Sequence, residues 1–159
     1  MKSRRNRWLL VAVLALSACS APATSTTSGS AARPEPKTAE ALTAIAQVFN
    51  DDYGRGVDGP VYDRWDARSR AVIGRAEYLR RHAECPTAPQ QPAHVESAAP
   101  GPHGTWLVRY RIGDQQFVDH WIYAGGRWQF DLVSSNPEAV RLYRLPAAQY
   151  VAAVGCAHQ

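Results

Sequence analysis

The sequence predicts an α+β fold in which N-terminal helices pack on a curved, cone-like antiparallel sheet of about four strands, followed by a C-terminal helical tail. Two observations predict it. Apolar residues recur every three or four positions up to about residue 84, and at every second position from about residue 93 to 132. The helical segments also precede the strands instead of alternating with them. With 159 residues, 45% of them hydrophobic and 20% charged, the chain has the composition of one packed domain.

Three helices are predicted before the sheet. The first has apolar residues at helical spacing, namely Leu42, Ile45, Val48 and Phe49. Gly54 and Gly56 favour its end, because glycine is a common helix terminator. A short helix is expected over residues 61–67 and a third over residues 75–84, after which a proline-rich stretch breaks the pattern.

The next segment predicts a meander of antiparallel strands. Apolar and aromatic residues share one face of one strand: Trp106, Val108, Tyr110 and Ile112. The same alternation in the following strand groups Phe117, Asp119, Trp121 and Tyr123. Gly125-Gly126 favours a tight hairpin into a third strand, since both central positions of that turn need positive φ, and an earlier strand over residues 93–98 makes four. A capping-box pattern at Ser135 and Glu138 begins the helical tail.

The first residues of the chain predict an export signal. Residues 1–7 are rich in basic side chains and residues 8–16 are uncharged and apolar, a run too short to cross about 30 Å of hydrocarbon but typical of a signal peptide. The segment Leu16-Ser17-Ala18-Cys19 resembles the lipobox of bacterial lipoproteins. The resemblance implies a signal peptide over residues 1–18, acylation of Cys19 with diacylglycerol and palmitate, and an extracytoplasmic location on the cell membrane. An ordinary secretory signal with an incidental cysteine is the alternative.

A flexible linker is expected between the lipid anchor and the folded domain. Residues 19–40 are rich in Ser, Thr, Ala and Pro and have no apolar periodicity. The folded domain is therefore expected over residues 41–159. The chain holds 16 Arg but only 2 Lys, with abundant Ala, which indicates a GC-rich genome such as that of an actinobacterium.

The charge of the exported chain excludes one class of partner. The whole chain has a net charge of +4, but four of its 18 basic residues lie among the first seven positions. Once the signal is removed, 14 basic residues face 14 acidic ones. Nucleic-acid binding is not expected of a neutral exported protein. The sequence also lacks a phosphate loop, a dinucleotide fingerprint and a nucleophile elbow, and no cofactor is expected.

The domain resembles the nuclear transport factor two-like superfamily, also called ketosteroid-isomerase-like or SnoaL-like. The likeness rests on the amphipathic first helix, the turn over residues 54–59, the segments 62–66 and 80–85, and the Gly-Arg-Trp hairpin at residues 126–128. It implies a conical cavity or a sheet face that holds a small apolar ligand or a protein partner, with a homodimer through the sheet as a further implication. The helical tail departs from the usual pattern, in which the last strand ends the domain. The expected function is a membrane-tethered, non-catalytic binding or interaction module.

The resemblance to enzymes of that superfamily implies an alternative function for the domain. Its isomerases and dehydratases use a cavity Asp or His as base, and the candidates here are Asp119, Tyr62, Tyr110, His120, Asp63 and Asp131. The alternative is a cavity enzyme of the isomerase or dehydratase type with Asp119 as general base, since a carboxylate on an apolar face has a raised pKa. An ion pair of Asp119 with Arg109 or Arg111 is the competing interpretation. Phe49 occupies the buried face of the first helix, so the phenol that the isomerases carry there has no clear equivalent.

Two cysteines remain once Cys19 is acylated. Cys85 and Cys156 are expected to form a disulfide in an oxidising exported compartment, closing a loop of about 72 residues. A zinc site is the alternative, with the ligand types of a tetrahedral centre but not a standard spacing: His82, Cys85, Cys156 and His158. Free thiols are the third interpretation.

Overall fold

The computed structural model describes residues 33–86 and 91–156. The predicted signal peptide, Cys19 and most of the expected linker lie outside the described residues, and so does His158. The predicted α+β fold is confirmed, because helices precede a four-stranded antiparallel sheet and further helices follow it. No helix in the described ranges is long and apolar enough to cross a membrane.

Within the described residues, four helices come before the sheet and three come after it. The first four are α1 (Ala39–Gly54), α2 (Asp58–Asp63), α3 (Ala67–Arg70) and α4 (Arg75–Glu84). The strands are β1 (Ala93–Pro100), β2 (Thr105–Ile112), β3 (Gln115–Ala124) and β4 (Arg127–Phe130). The last three helices are α5 (Leu132–Ser135), α6 (Pro137–Tyr143) and α7 (Ala147–Val154). The single helix expected over residues 61–67 is two helices, because the Asp66 side chain caps α3 by accepting from the Ser69 backbone N–H at 2.7 Å.

α1 is the helix that covers the sheet. Its N-terminus is capped by Thr38, whose hydroxyl accepts from the backbone N–H of Ala41 at 3.2 Å. The buried residues lie three or four positions apart: Leu42, Ala46, Phe49 and Asn50. Val48 falls on the opposite face and is 59% exposed, so only part of the predicted apolar set packs against the sheet.

The four strands pair in sequence order, each antiparallel to the next. We call the face that carries Trp121 the inner face, because the Phe49 ring of α1 packs on it with ring centroids 5.2 Å apart. Val108, Trp121 and Trp128 are fully buried. The predicted hairpin between β3 and β4 is present, with φ of 59° at Gly125 and 77° at Gly126.

The packed chain begins earlier than the sequence predicts. Residues 33–38, here called the N-terminal strap, were expected to be flexible linker, yet they hydrogen-bond to the end of the sheet. The Glu35 carboxylate accepts from the backbone N–H of Trp128 at 2.7 Å and pairs with Arg64 at 2.7 Å. The Trp128 indole N–H donates to the Pro36 carbonyl at 2.9 Å. Backbone groups and one carboxylate make these contacts, which is why the strap has no apolar periodicity.

The C-terminal tail is fixed by a disulfide and by aromatic packing. Cys85, which ends α4, is bonded to Cys156, which follows α7, with their Cα atoms 5.5 Å apart. This confirms the expected disulfide. Tyr150 of α7 stacks on Tyr143 of α6, with ring centroids 5.9 Å apart, and the Arg81 guanidinium lies 5.0 Å from the Tyr150 ring centroid. The last part of the tail, α6 and α7, therefore packs against α4.

Replacing both cysteines, Cys85→Ala with Cys156→Ala, is expected to lower the free energy of unfolding by about 2–4 kcal/mol, because the unfolded chain is no longer cross-linked over so long a loop. Urea unfolding of the oxidised wild type and of the double variant measures the difference. The reduced wild type should match the double variant. Equal midpoints for all three forms would contradict a stabilising disulfide.

Candidate functional site

A cavity of about 590 Å³ lies between α1, the inner face of the sheet and helices α5 and α6. Eight aromatic side chains line it: Phe49, Tyr53, Trp65, Tyr78, Tyr110, Phe117, Phe130 and Tyr143. Asp51 and Arg55, near the C-terminal end of α1, also contribute to its wall. The cavity is thus apolar and aromatic over much of its surface, with charged groups where α1 ends.

The spacing of residues along β3 and along α1 explains which side chains line the cavity. Phe117 and Asp119 lie two positions apart on β3, so their side chains project from the same face of the sheet. Phe49 and Tyr53 lie four positions apart on α1, which places them on one side of the helix. The cavity is the space between these two rows.

Asp119 is a buried carboxyl in the cavity wall, only 7% exposed. It stands opposite Val108 on β2, which makes Tyr110 its diagonal neighbour on the same face. Burial raises the pKa of Asp119 to about 7, and a hydrogen bond with Tyr110 acts in the opposite, smaller sense. Near neutral pH the side chain is therefore present in both protonation states, the condition that suits an acid or a base.

The pairing of Asp119 with Arg109 or Arg111 is wrong. The register places Arg109 opposite Val118, so both project from the outer face of the sheet, away from Asp119. Arg111 lies on that outer face as well, and its guanidinium pairs with Glu96. Neither arginine compensates the charge of Asp119.

Four tyrosines line the cavity with Asp119, namely Tyr53, Tyr78, Tyr110 and Tyr143, of which Tyr110 was predicted. Tyr110 lines the cavity as expected, and burial raises the pKa of its phenol. Tyr53 lines it too, although the sequence analysis found no equivalent of the helix phenol of the isomerases. Its spacing of four from Phe49 was the signal that could have identified it, because that spacing repeats the buried face of α1.

Tyr62 and His120 do not belong to the cavity wall. Tyr62 is buried beneath it, and its hydroxyl donates to the Ile73 carbonyl at 2.9 Å, which joins α2 to the segment after α3. The side chain of His120 is on the outer face, next in sequence to Asp119. Its backbone N–H donates to the Ser135 hydroxyl at 2.7 Å. This hydrogen bond attaches α5 to the edge of β3 beyond the end of β4. Neither side chain lines the cavity.

The two other acidic candidates are engaged in ion pairs. Asp63 pairs with Arg75 at 2.8 Å on the surface. Asp131 pairs with Arg68 at 2.6 Å and also caps α5 by accepting from the Ser134 backbone N–H at 3.1 Å. Asp63 and Asp131 therefore hold helices in place.

A buried polar chain adjoins the cavity through Tyr143. His82 Nδ1 lies 2.8 Å from Asp58 Oδ1, and His82 Nε2 lies 2.9 Å from the Tyr143 hydroxyl. Burial lowers the pKa of His82 despite the opposing effect of Asp58, so the imidazole is neutral at pH 7. Because Asp58 accepts the Nδ1 proton, Nε2 is left as an acceptor and Tyr143 donates to it. No pattern in the sequence indicates this chain, since its members lie far apart in sequence.

The alternative zinc site does not fit this arrangement. The sulfurs of Cys85 and Cys156 are bonded to each other, and both ring nitrogens of His82 are hydrogen-bonded. Residues 33–86 and 91–156 contain no group of three or more His, Cys, Asp or Glu side chains that could hold a metal ion.

Replacing Asp119 by Asn is expected to change the pH dependence of stability. The folded domain keeps the carboxyl proton up to about pH 7, whereas the unfolded chain loses it near pH 4. The stability that protonation gives is therefore complete below about pH 4 and declines as the pH rises to about 7. Asp119→Asn should exceed wild type by about 4 kcal/mol at about pH 8 and match it at about pH 4 in urea unfolding.

The matched control is Asp51→Asn, which removes the same charge from the more exposed end of the cavity wall. It should show no comparable gain at the higher pH. A difference between Asp119→Asn and wild type that stays the same at both pH values would contradict a buried carboxyl with a raised pKa.

The cavity combines an aromatic wall, a buried acid on β3 and four phenols within one space. Comparison with known proteins finds no family model, no curated protein and no solved structure that matches this chain.

Proposed function

We propose that the domain binds a small, largely apolar molecule in its cavity and is tethered outside the cytoplasm by a lipid on Cys19. The observation that supports ligand binding is Asp119, a buried carboxyl facing a space lined by eight aromatic side chains. A polar group in an otherwise apolar cavity gives a ligand orientation, while the rings supply contact area.

The dimensions of the cavity support this function. At about 590 Å³ it lies within the range of about 300–1,000 Å³ that is usual for small-molecule sites. The resemblance to the nuclear transport factor two-like superfamily agrees with it, since the cavity lies between the helices and the inner face of the sheet. The occupant that fits this space has one or two rings and a single polar group.

Filling the cavity is expected to abolish binding of an apolar probe. Ala139 of α6 lines the cavity, so the indole of Ala139→Trp would occupy the space of a ligand. N-phenylnaphthylamine, a neutral fluorophore, should bind the wild-type domain with enhanced emission. Its affinity for the variant should be lower by about tenfold or more.

Ala153→Trp is the control, because Ala153 is exposed on α7 and does not line the cavity. Circular dichroism of each variant establishes that it is folded. Equal affinity of Ala139→Trp and wild type for the probe would show that binding does not use the cavity and would overturn the proposal.

The tether is proposed from the lipobox at residues 16–19. Acyl chains contribute about 0.8 kcal/mol for each buried methylene, so a multiply acylated cysteine anchors a domain without a spanning helix. The neutral charge of the chain after the signal does not favour electrostatic attachment to anionic lipids in its place.

Cys19→Ala is expected to release the protein from the membrane fraction of its host, because the acceptor thiol is gone. Metabolic labelling with an alkyne-bearing palmitate analogue should mark the wild type and the Ser20→Ala control but not the variant. Label on Cys19→Ala, or an unlabelled wild type, would contradict acylation at this position.

Catalysis by Asp119 is the second candidate function. It is favoured by one observation, a carboxyl with pKa of about 7 buried in a cavity beside the phenol of Tyr110. A base of that pKa can remove a proton from a carbon acid near neutral pH, and a neighbouring phenol can donate to the oxyanion that forms.

A catalytic base would exchange a substrate proton with solvent. The wild-type domain, incubated in D₂O with a small-molecule extract of its host, is then expected to introduce deuterium into one metabolite detected by mass spectrometry. Asp119→Asn, still binding N-phenylnaphthylamine, should not do so. Exchange that persists in the variant, or is absent from the wild type, leaves the binding function and removes the catalytic one.

A further inference from the structure

We infer that the cavity is built for a cation, namely a protonated amine carried on an apolar body. This inference rests on the proposed ligand-binding function and names the chemical class of the ligand. Three independent features of the cavity carry it: an uncompensated carboxyl, an aromatic wall, and a tyrosine whose proton is already in use.

The first feature is the missing counter-charge of Asp119. Within residues 33–86 and 91–156, no basic side chain forms an ion pair with this carboxyl, since Arg109 and Arg111 project from the outer face of the sheet. Arg55 is the basic residue of the cavity wall, and its guanidinium pairs with Asp52 at 2.7 Å while remaining 67% exposed. A buried acid without a basic partner is costly when ionised, and a ligand cation would supply that partner.

The second feature is the π surface around that acid. Tyr110 and Phe117, which flank Asp119 on β2 and β3, are stacked with ring centroids 5.3 Å apart. Phe49 and Phe130, which also line the cavity, have ring centroids 4.7 Å apart. Ring faces attract cations and are indifferent or repulsive to anions, so the wall adds to the preference set by the carboxyl.

The third feature is the direction of the hydrogen bond at Tyr143. Asp58 holds the proton of His82 on Nδ1, which leaves His82 Nε2 to accept the Tyr143 proton at 2.9 Å. The remaining hydrogen-bonding capacity of the Tyr143 oxygen is that of an acceptor. Tyr110, the diagonal neighbour of Asp119, can only donate to the ionised carboxylate, which has no proton of its own. An ammonium group, which only donates, complements acceptors of this kind.

A displacement assay distinguishes a cation from a neutral ligand of the same shape. 4-Benzylpiperidine is a secondary amine that is protonated at about pH 8, whereas its N-acetyl derivative is a neutral amide. Both can compete with N-phenylnaphthylamine. The amine is expected to displace the fluorophore from the wild-type domain at a concentration about tenfold lower than the amide. In Asp119→Asn the amine should lose this advantage, while the affinity of the amide changes by about twofold or less.

Asp114→Asn is the matched control, because it removes a negative charge from an exposed turn after β2 that does not line the cavity, and it leaves Asp119 in place. It should keep the preference for the amine. Equal affinities of amine and amide for the wild type, or a preference that survives in Asp119→Asn, would overturn the inference and leave the binding function intact. Failure of N-phenylnaphthylamine itself to bind the wild type would overturn both.

Discussion

The pairing register of β2 with β3 is the constraint on which the cavity depends. Side chains alternate along a strand, so a slip of one residue would turn Val118 inward and Asp119 outward. Trp121, fully buried on the inner face of β3, opposes such a slip because the slip would expose its indole. The position of the carboxyl among aromatic rings, and of Tyr110 diagonally beside it, follows from this one register.

A carboxyl held in that position costs stability, and other parts of the domain offset the cost. Arg81 donates to the carbonyls of Tyr143 and Leu145 at 3.2 and 3.0 Å, which ties α4 to the segment between α6 and α7. The disulfide joins the C-terminal end of α4 to the residues that follow α7. Rigid helices around a destabilised acid are the arrangement expected where a polar group is kept for a ligand rather than for folding.

Regular patterns in the sequence predicted the features that depend on local periodicity. The alternation in β3 placed Asp119 on the aromatic face, and Gly125-Gly126 identified the hairpin. Contacts between distant, individually unremarkable polar groups could not be predicted. Glu35 accepts from the Trp128 backbone across 93 positions, and no periodicity marks a single carboxylate that meets a backbone N–H. The spacing of Tyr53 from Phe49 was visible but was outweighed by its place near the helix end.

The N-terminal strap also determines where a mechanical load enters the domain. For a chain anchored at its N-terminus, tension reaches residues 33–38 before it reaches α1. The Glu35 backbone N–H donates to the Gly126 carbonyl at 2.8 Å, and the Trp128 indole N–H donates to the Pro36 carbonyl at 2.9 Å. The β3–β4 end of the sheet therefore bears this tension first. In a chain tethered as proposed, α1, whose side chains form one wall of the cavity, would thereby be shielded from forces transmitted along the tether.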